Sequence, residues 1–390
     1  MSDLTIIIML AWALSACLAL GWMTQRMGLS PLVGYLLAGV VVGPYTPGFV
    51  ADSQLAAQFA EIGVIMLLFS VGLHFHYRDL LRVWRIAVPG AIGQSVVAAI
   101  LGWLVARAFG WSDVAGLTLG FALAVASTVV LMRMLIEQQR LDTDDGHAAV
   151  GWLIVEDLLT VVALVILPTV VTGPANEFNL GWSLVIALGK VVIFAALVLV
   201  IGSRIISPIL EQMSRASSAE LFTLGVFVFA LGIAAIAAEL FHVSVALGAF
   251  FGGLVVAQSS VGQHAAENVK SFRDVFSALF FVSVGMLFNP AFIWENVGIT
   301  LAVLAIILLA KPAIALAIVL MLRHPFRTGL TVGVGLAQIG EFSFILAGLG
   351  KSLGLLPQAG FDVLVAVALI SIAVNPLLFK ATGYIERRWS

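Results

Sequence analysis

Four ionisable side chains stand in the middle of otherwise apolar stretches of this 390-residue sequence: Glu156, Asp157, Lys311 and Glu341. A charge at the centre of a bilayer costs about 2.5–3.5 kcal/mol on the insertion scale, so four at one depth are expected to pair or to line a wet cavity. Consecutive helical residues point about 100° apart. Glu156 and Asp157 therefore cannot both face Lys311, and one of them is left to face a cavity while the other neutralises the lysine. In a partly dry, acidic setting a carboxylate holds its proton more tightly, and a proton and a metal cation then compete for it. The alternative is a buried ion-pair network that only holds the helices together.

Two further polar clusters lie mid-span, Ala126-Ser127-Thr128 and Gln338-Ile339-Gly340-Glu341. If the helices carrying them unwind there, exposed carbonyls and half-helix ends can coordinate a cation, because irregular backbone at membrane depth is tolerated only around a cavity or within protein. Ser127, Thr128 and the amide of Gln338 would add neutral oxygens. Glu341 would offset the positive ends of the half-helices. The alternative is an unbroken helix whose Ser and Thr bond to the preceding turn.

The elements that must position these residues are transmembrane helices. The chain is 62% hydrophobic and 10% charged, outside the range of soluble domains. Windows of about 20 apolar residues fit thirteen times, with approximate cores at 5–25, 31–43, 58–74, 86–109, 114–136, 147–171, 181–203, 220–238, 243–258, 274–288, 297–322, 328–350 and 361–380. The second, ninth and tenth are short. Of the 19 basic residues, 15 fall in the loops after odd-numbered helices or in the C-terminal tail, leaving out Arg107, Lys351, Lys190 and Lys311. By the positive-inside rule the N-terminus is outside and the C-terminus cytoplasmic. The first apolar run has no basic region before it and reads as a retained helix.

The sequence matches itself at an offset of 213 or 214 residues. Phe69-Ser70-Val71-Gly72 aligns with Val282-Ser283-Val284-Gly285, Gly34 and Gly39 with Gly248 and Gly253, and Ser127-Thr128 with Gly340-Glu341. An offset of seven helices inverts the second copy in the membrane. The expected organisation is one transmembrane domain over 1–390, with repeat one at about 1–175, a linker helix at about 181–206 and repeat two at about 217–390. Inverted repeats of this kind mark secondary transporters.

Other classes are disfavoured. A net charge of −2 with no basic run argues against nucleic acid. Cys17 stands alone, so no disulfide can form within the chain. No Gly-x-Ser-x-Gly or His-Glu-x-x-His occurs, and no histidine lies within a span, so no enzyme chemistry and no cofactor are expected. A His74/His76 metal pair is weighed against a solvated loop, and the loop is favoured.

Four motifs carry a family resemblance: Ser30-Pro31-Leu32-Val33-Gly34-Tyr35-Leu36-Leu37-Ala38-Gly39, Gly151-Trp152-Leu153-Ile154-Val155-Glu156-Asp157, Phe281-Val282-Ser283-Val284-Gly285-Met286-Leu287-Phe288 and Ala337-Gln338-Ile339-Gly340-Glu341-Phe342. The chain resembles the Kef-type potassium efflux systems of the monovalent cation:proton antiporter superfamily, and most closely their YbaL-like branch. The resemblance implies a 13-helix, sodium/proton-antiporter-like fold with crossed, broken helices five and twelve. It also implies a dimerisation domain, hence a homodimer, and elevator-like alternating access in a bacterial inner membrane. Asp157 falls on the family's essential ion- and proton-binding aspartate and Lys311 on its intramembrane basic residue. Glu156 stands where the Kef proteins carry glutamine, which leaves the proton count open. Their nucleotide-binding regulatory domain has no counterpart here, and no Gly-x-Gly-x-x-Gly occurs: either a longer protein is truncated or this one lacks the domain.

The expected function is exchange of potassium, or else sodium, for protons. Asp157 would hold each ion in turn, helped by Glu156, with oxygens from Ser127, Thr128 and Gln338 and charge compensation by Lys311 and Glu341. The alternatives are sodium-coupled symport of an organic anion and a cation channel.

Overall fold

The computed structural model describes residues 4–46, 53–74, 77–172, 177–215, 218–241 and 245–389. All regular structure among them is helical: α1 (Leu4–Arg26), α2 (Pro31–Val42), α3 (Ser53–His74), α4 (Tyr77–Ala108), α5 (Asp113–Ala124), α6 (Thr128–Glu137), α7 (Asp144–Thr172), α8 (Glu177–Arg215), α9 (Ala219–Phe241), α10 (Val245–Ala257), α11 (Gly262–Met286), α12 (Ala291–Glu295), α13 (Val297–Ala305), α14 (Lys311–Met321), α15 (Phe326–Gly335), α16 (Glu341–Ser352) and α17 (Gln358–Trp389). Seven of these are long and apolar enough to cross a membrane, and α2, α5, α10 and much of α3 are shorter apolar helices. Large apolar side chains such as Leu18, Trp22, Leu224, Leu240, Leu309 and Met321 are exposed, as a lipid-facing surface requires.

Many helices run past their apolar cores. The basic residues Arg78, Arg82 and Arg85, expected in a loop, belong to α4, and Lys270 and Arg273 belong to α11. Hydropathy sees where the lipid ends. The backbone continues to make helical hydrogen bonds beyond it, in water or at the headgroups.

The chain forms two compact units, one of Met1–Ala51, Tyr77–Ala163 and Val284–Ser390, the other of Asp52–His76 and Leu164–Ser283. Glycines set how closely helices approach within each. In the first unit, Ser30 caps α2 through its Oγ, Pro31 occupies the first turn, and a Cβ on Gly34 would lie 2.5 Å from the Gly21 backbone of α1. In the second unit, α3 and α10 meet so tightly that a Cβ on Gly72 would stand 2.1 Å from the Phe250 carbonyl oxygen.

The first unit contains two interrupted helices. Between α5 and α6 the backbone at Val125 and Ser127 is extended (φ/ψ −91/134 and −82/120). Between α15 and α16, residues 336–340 leave the helix and Gly340 is extended (−97/171). A third irregularity was not expected: a π-turn at Ile306–Ala310 immediately before Lys311. Pro312, the second residue of α14, offers no N–H to the carbonyl four residues earlier, and a wider turn accommodates the gap.

Candidate functional site

The two interruptions meet. Gly340 N–H donates to the Val125 carbonyl at 3.4 Å, and Ser343 Oγ donates to the same carbonyl at 3.3 Å. Gln338 clamps the pair from both ends of its amide: Oε1 accepts from Ser127 N at 3.0 Å and Nε2 donates to the Ser127 carbonyl at 3.0 Å. Gly340 is the residue this approach demands, because a Cβ there would sit 2.5 Å from the Ala126 carbonyl oxygen.

Breaking a helix at this depth strands backbone groups that lipid cannot satisfy, and buried side chains from neighbouring helices take them up. Gln94 of α4 donates to the Ala124 carbonyl at 3.4 Å. Asn375 of α17 donates to Val334 at 2.7 Å, and Ser371 Oγ accepts from Ile339 N at 3.3 Å. On the α6 side Ser127 Oγ accepts from Val130 N at 3.2 Å, an N-cap.

The two adjacent acids of α7 face different groups. Glu156, 1% exposed, accepts from Ala126 N–H of the first break at 3.1 Å through Oε2 and from the Trp152 indole N–H at 3.2 Å through Oε1. The charge that acts on it is that of Lys311, itself fully buried. Asp157 accepts through Oδ2 from Thr128 Oγ1, the first residue of α6, at 3.1 Å. Its Oδ1 is buried without a hydrogen-bond partner among the described residues, and so is Lys311 Nζ. Glu341, 5% exposed and in the first turn of α16, is the other acid whose charge reaches Asp157, along with Glu156.

All seven sequence-selected residues thus lie in the first unit: Glu156, Asp157, Ser127, Thr128, Gln338, Lys311 and Glu341. The geometry separates their duties. Thr128 touches Asp157, whereas Gln338 and Ser127, expected to lend oxygens to an ion, make bonds that hold and cap the breaks. Trp152, Gln94, Ser343, Ser371 and Asn375 were missed as site residues. The signal available was a polar atom inside an apolar span, which by itself does not say what the atom faces. Lys190 of α8 is exposed. Of the His74/His76 pair, His76 and the His74 side chain lie outside the described residues. No group of three or more His, Cys, Asp or Glu side chains able to hold a metal ion occurs among the described residues.

Such a site offers an acid with one hydrogen-bonded oxygen and one buried oxygen without a partner among the described residues, at the positive N-terminus of a half-helix, beside a second acid–lysine set of near-zero net charge. That arrangement can take up a single small cation or a proton.

The sodium/hydrogen exchanger family, transmembrane, matches residues 13–382. The chain is 49% identical over 365 residues to the protein described as putative cation/proton antiporter YbaL of Escherichia coli strain K12, covering 92% of this chain and 65% of that one. It is 32% identical to K(+) efflux antiporter 5 of Arabidopsis thaliana, covering 97% of this chain and 66% of that one. The chain therefore spans about two thirds of the length of these relatives. In fold it is similar to the sodium proton antiporter MjNhaP1 of Methanocaldococcus jannaschii, with a TM-score of 0.74 at 16% identity, covering 97% of this chain and 98% of that one. A match running through nearly every helix, together with this all-helical architecture, leads to one conclusion: the chain is a multi-pass membrane protein that belongs to the transmembrane sodium/hydrogen exchanger family.

Proposed function

We propose that the chain exchanges a monovalent cation for a proton by alternating access, with potassium favoured over sodium because several relatives are described as K(+) efflux antiporters. The observation that carries this reading is Asp157 Oδ1, a buried carboxylate oxygen without a hydrogen-bond partner among the described residues, beside Thr128 at the start of α6. A proton or a cation completes that oxygen, but not both. Proton uptake on one side then expels the cation, and cation uptake on the other expels the proton. Lys311 and Glu156 balance one another's charge nearby. Gln338 and Ser127 hold the broken helices, and Glu341 adds negative charge facing Asp157.

The architecture we infer has thirteen spans, counting α5 with α6, α13 with α14 and α15 with α16 as one each, in two inverted six-helix repeats joined by α8. Matched glycine contacts support the repeat. A Cβ on Gly72 would lie 2.1 Å from the Phe250 carbonyl oxygen, and one on Gly285, the offset partner of Gly72, would lie 2.1 Å from that of Leu36, the offset partner of Phe250. Gly34 against Gly21 and Gly248 against Ala234 form a second matched pair, at 2.5 and 2.8 Å. A homodimer in a bacterial inner membrane, with the N-terminus outside and the C-terminus cytoplasmic, completes the reading.

The test is pH-gradient-driven cation flux in proteoliposomes. Asp157→Asn is expected to reduce it to the rate of protein-free liposomes, while flux equal to wild type in that variant removes the reading. Thermal stabilisation by lithium, sodium, potassium and rubidium at two pH values ranks the ions, since a ligand that binds the folded state raises the melting point.

A further inference from the structure

Trp152 is fully buried on α7, one helical turn before Glu156, and its indole N–H donates to Glu156 Oε1 at 3.2 Å. The other oxygen of the same carboxylate accepts from Ala126 N–H, inside the first helix break, at 3.1 Å. A single carboxylate thus ties the indole to the break, two residues before Thr128 and its bond to Asp157. The indole is itself held from behind. A Cβ added at Gly90 of α4 would lie 2.1–2.6 Å from three atoms of its six-membered ring, so the glycine forms the notch in which the ring sits. An apolar residue of similar size could fill the notch, but it could not donate to Glu156.

We propose that Trp152, seated against Gly90, is a positioning residue for the exchange site: through Glu156 it sets the backbone of the first break, and thereby the placement of Thr128 against Asp157. The proposal rests on the exchange reading above. Among the described residues the indole donates to Glu156 and not to Asp157, so its effect on Asp157 is routed through the Glu156 carboxylate and the break. Losing the indole N–H frees Glu156 Oε1, loosens its hold on Ala126, and is expected to weaken cation capture more than it slows the loaded carrier.

The experiment uses the full chain in proteoliposomes, with KM for potassium (or for sodium, if that is the ion wild type carries), maximal rate and melting temperature measured for Trp152→Phe, Gly90→Ala and the double variant. Trp152→Phe and Gly90→Ala should each raise KM roughly tenfold, the scale of one hydrogen bond to a charged group, with a smaller change in maximal rate. In the double variant the alanine methyl enters the space vacated by the smaller ring. The melting temperature should then recover towards wild type while KM stays raised, because the N–H donor is still missing. Recovery of KM together with melting temperature means that Trp152 only fills space, and overturns the proposal. So does an unmoved KM in Trp152→Phe when wild type exchanges normally. Absence of exchange in wild type would instead remove the exchange reading itself, and this proposal with it.

Discussion

Thr128 donates to Asp157 the one hydrogen bond that carboxylate has among the described residues, and also begins the half-helix whose positive end lies at it. Thr128→Val keeps the shape and removes the donor. It should weaken apparent cation affinity by roughly tenfold, and Thr128→Ser should restore most of it, as read from KM in flux assays. Lys311 makes a different prediction. It is fully buried and its partner in charge is Glu156, so Lys311→Met strands a buried carboxylate. A buried carboxylate that loses the opposite charge acting on it is held less favourably. The melting temperature of the detergent-solubilised protein should fall accordingly, and adding Glu156→Gln to Lys311→Met should recover part of the loss, a coupling that a double-mutant cycle measures. No recovery would mean that the two side chains do not balance one another.

At the scale of elements, the crossing of the two broken helices depends on one missing side chain. A methyl group on Gly340 would stand 2.5 Å from the Ala126 carbonyl oxygen, and backbone cannot swing aside as the tip of a flexible side chain can. Gly340→Ala should therefore cost about 1–3 kcal/mol and abolish flux, because Gln338 can no longer bridge Ser127 in both directions. Gly348, further along the same α16, has nothing within 4 Å of its would-be Cβ. Gly348→Ala should leave flux intact and gain up to about 1 kcal/mol of helix stability. The positions of both breaks were legible in the sequence, as small and polar residues at matching repeat positions. The π-turn before Lys311 was not: Pro312 marks a weak point in a helix, but whether the chain kinks, breaks or widens there depends on the helices against which it lies.

For the whole molecule, the repeat yields a paired prediction. A Cβ added at Gly72 and one added at Gly285 would each lie 2.1 Å from a carbonyl oxygen, in separate units. Gly72→Ala and Gly285→Ala should lower the melting temperature by similar amounts, while Gly232→Ala, in open space on α9, should not lower it. Unequal losses would count against the repeat. The membrane class and the all-helical architecture were legible before any coordinates. The extent of the helices was not, since α4 and α11 carry their basic residues inside the helix where hydropathy suggested loops.

What the sequence determined alone were properties that are local along the chain: how long each segment stays apolar, how deep a charge falls within it, and where small and polar residues interrupt it. Those depend on transfer free energy and backbone preference, which a residue and its near neighbours largely set. Tertiary structure decided the rest. It turned Glu156 towards Trp152, Ala126 and the charge of Lys311, left an oxygen of Asp157 uncommitted, and used the amide of Gln338 as a clamp. Each outcome depends on how one helix is rotated and crossed against others, and that is set by glycine notches and ring shapes hundreds of residues apart.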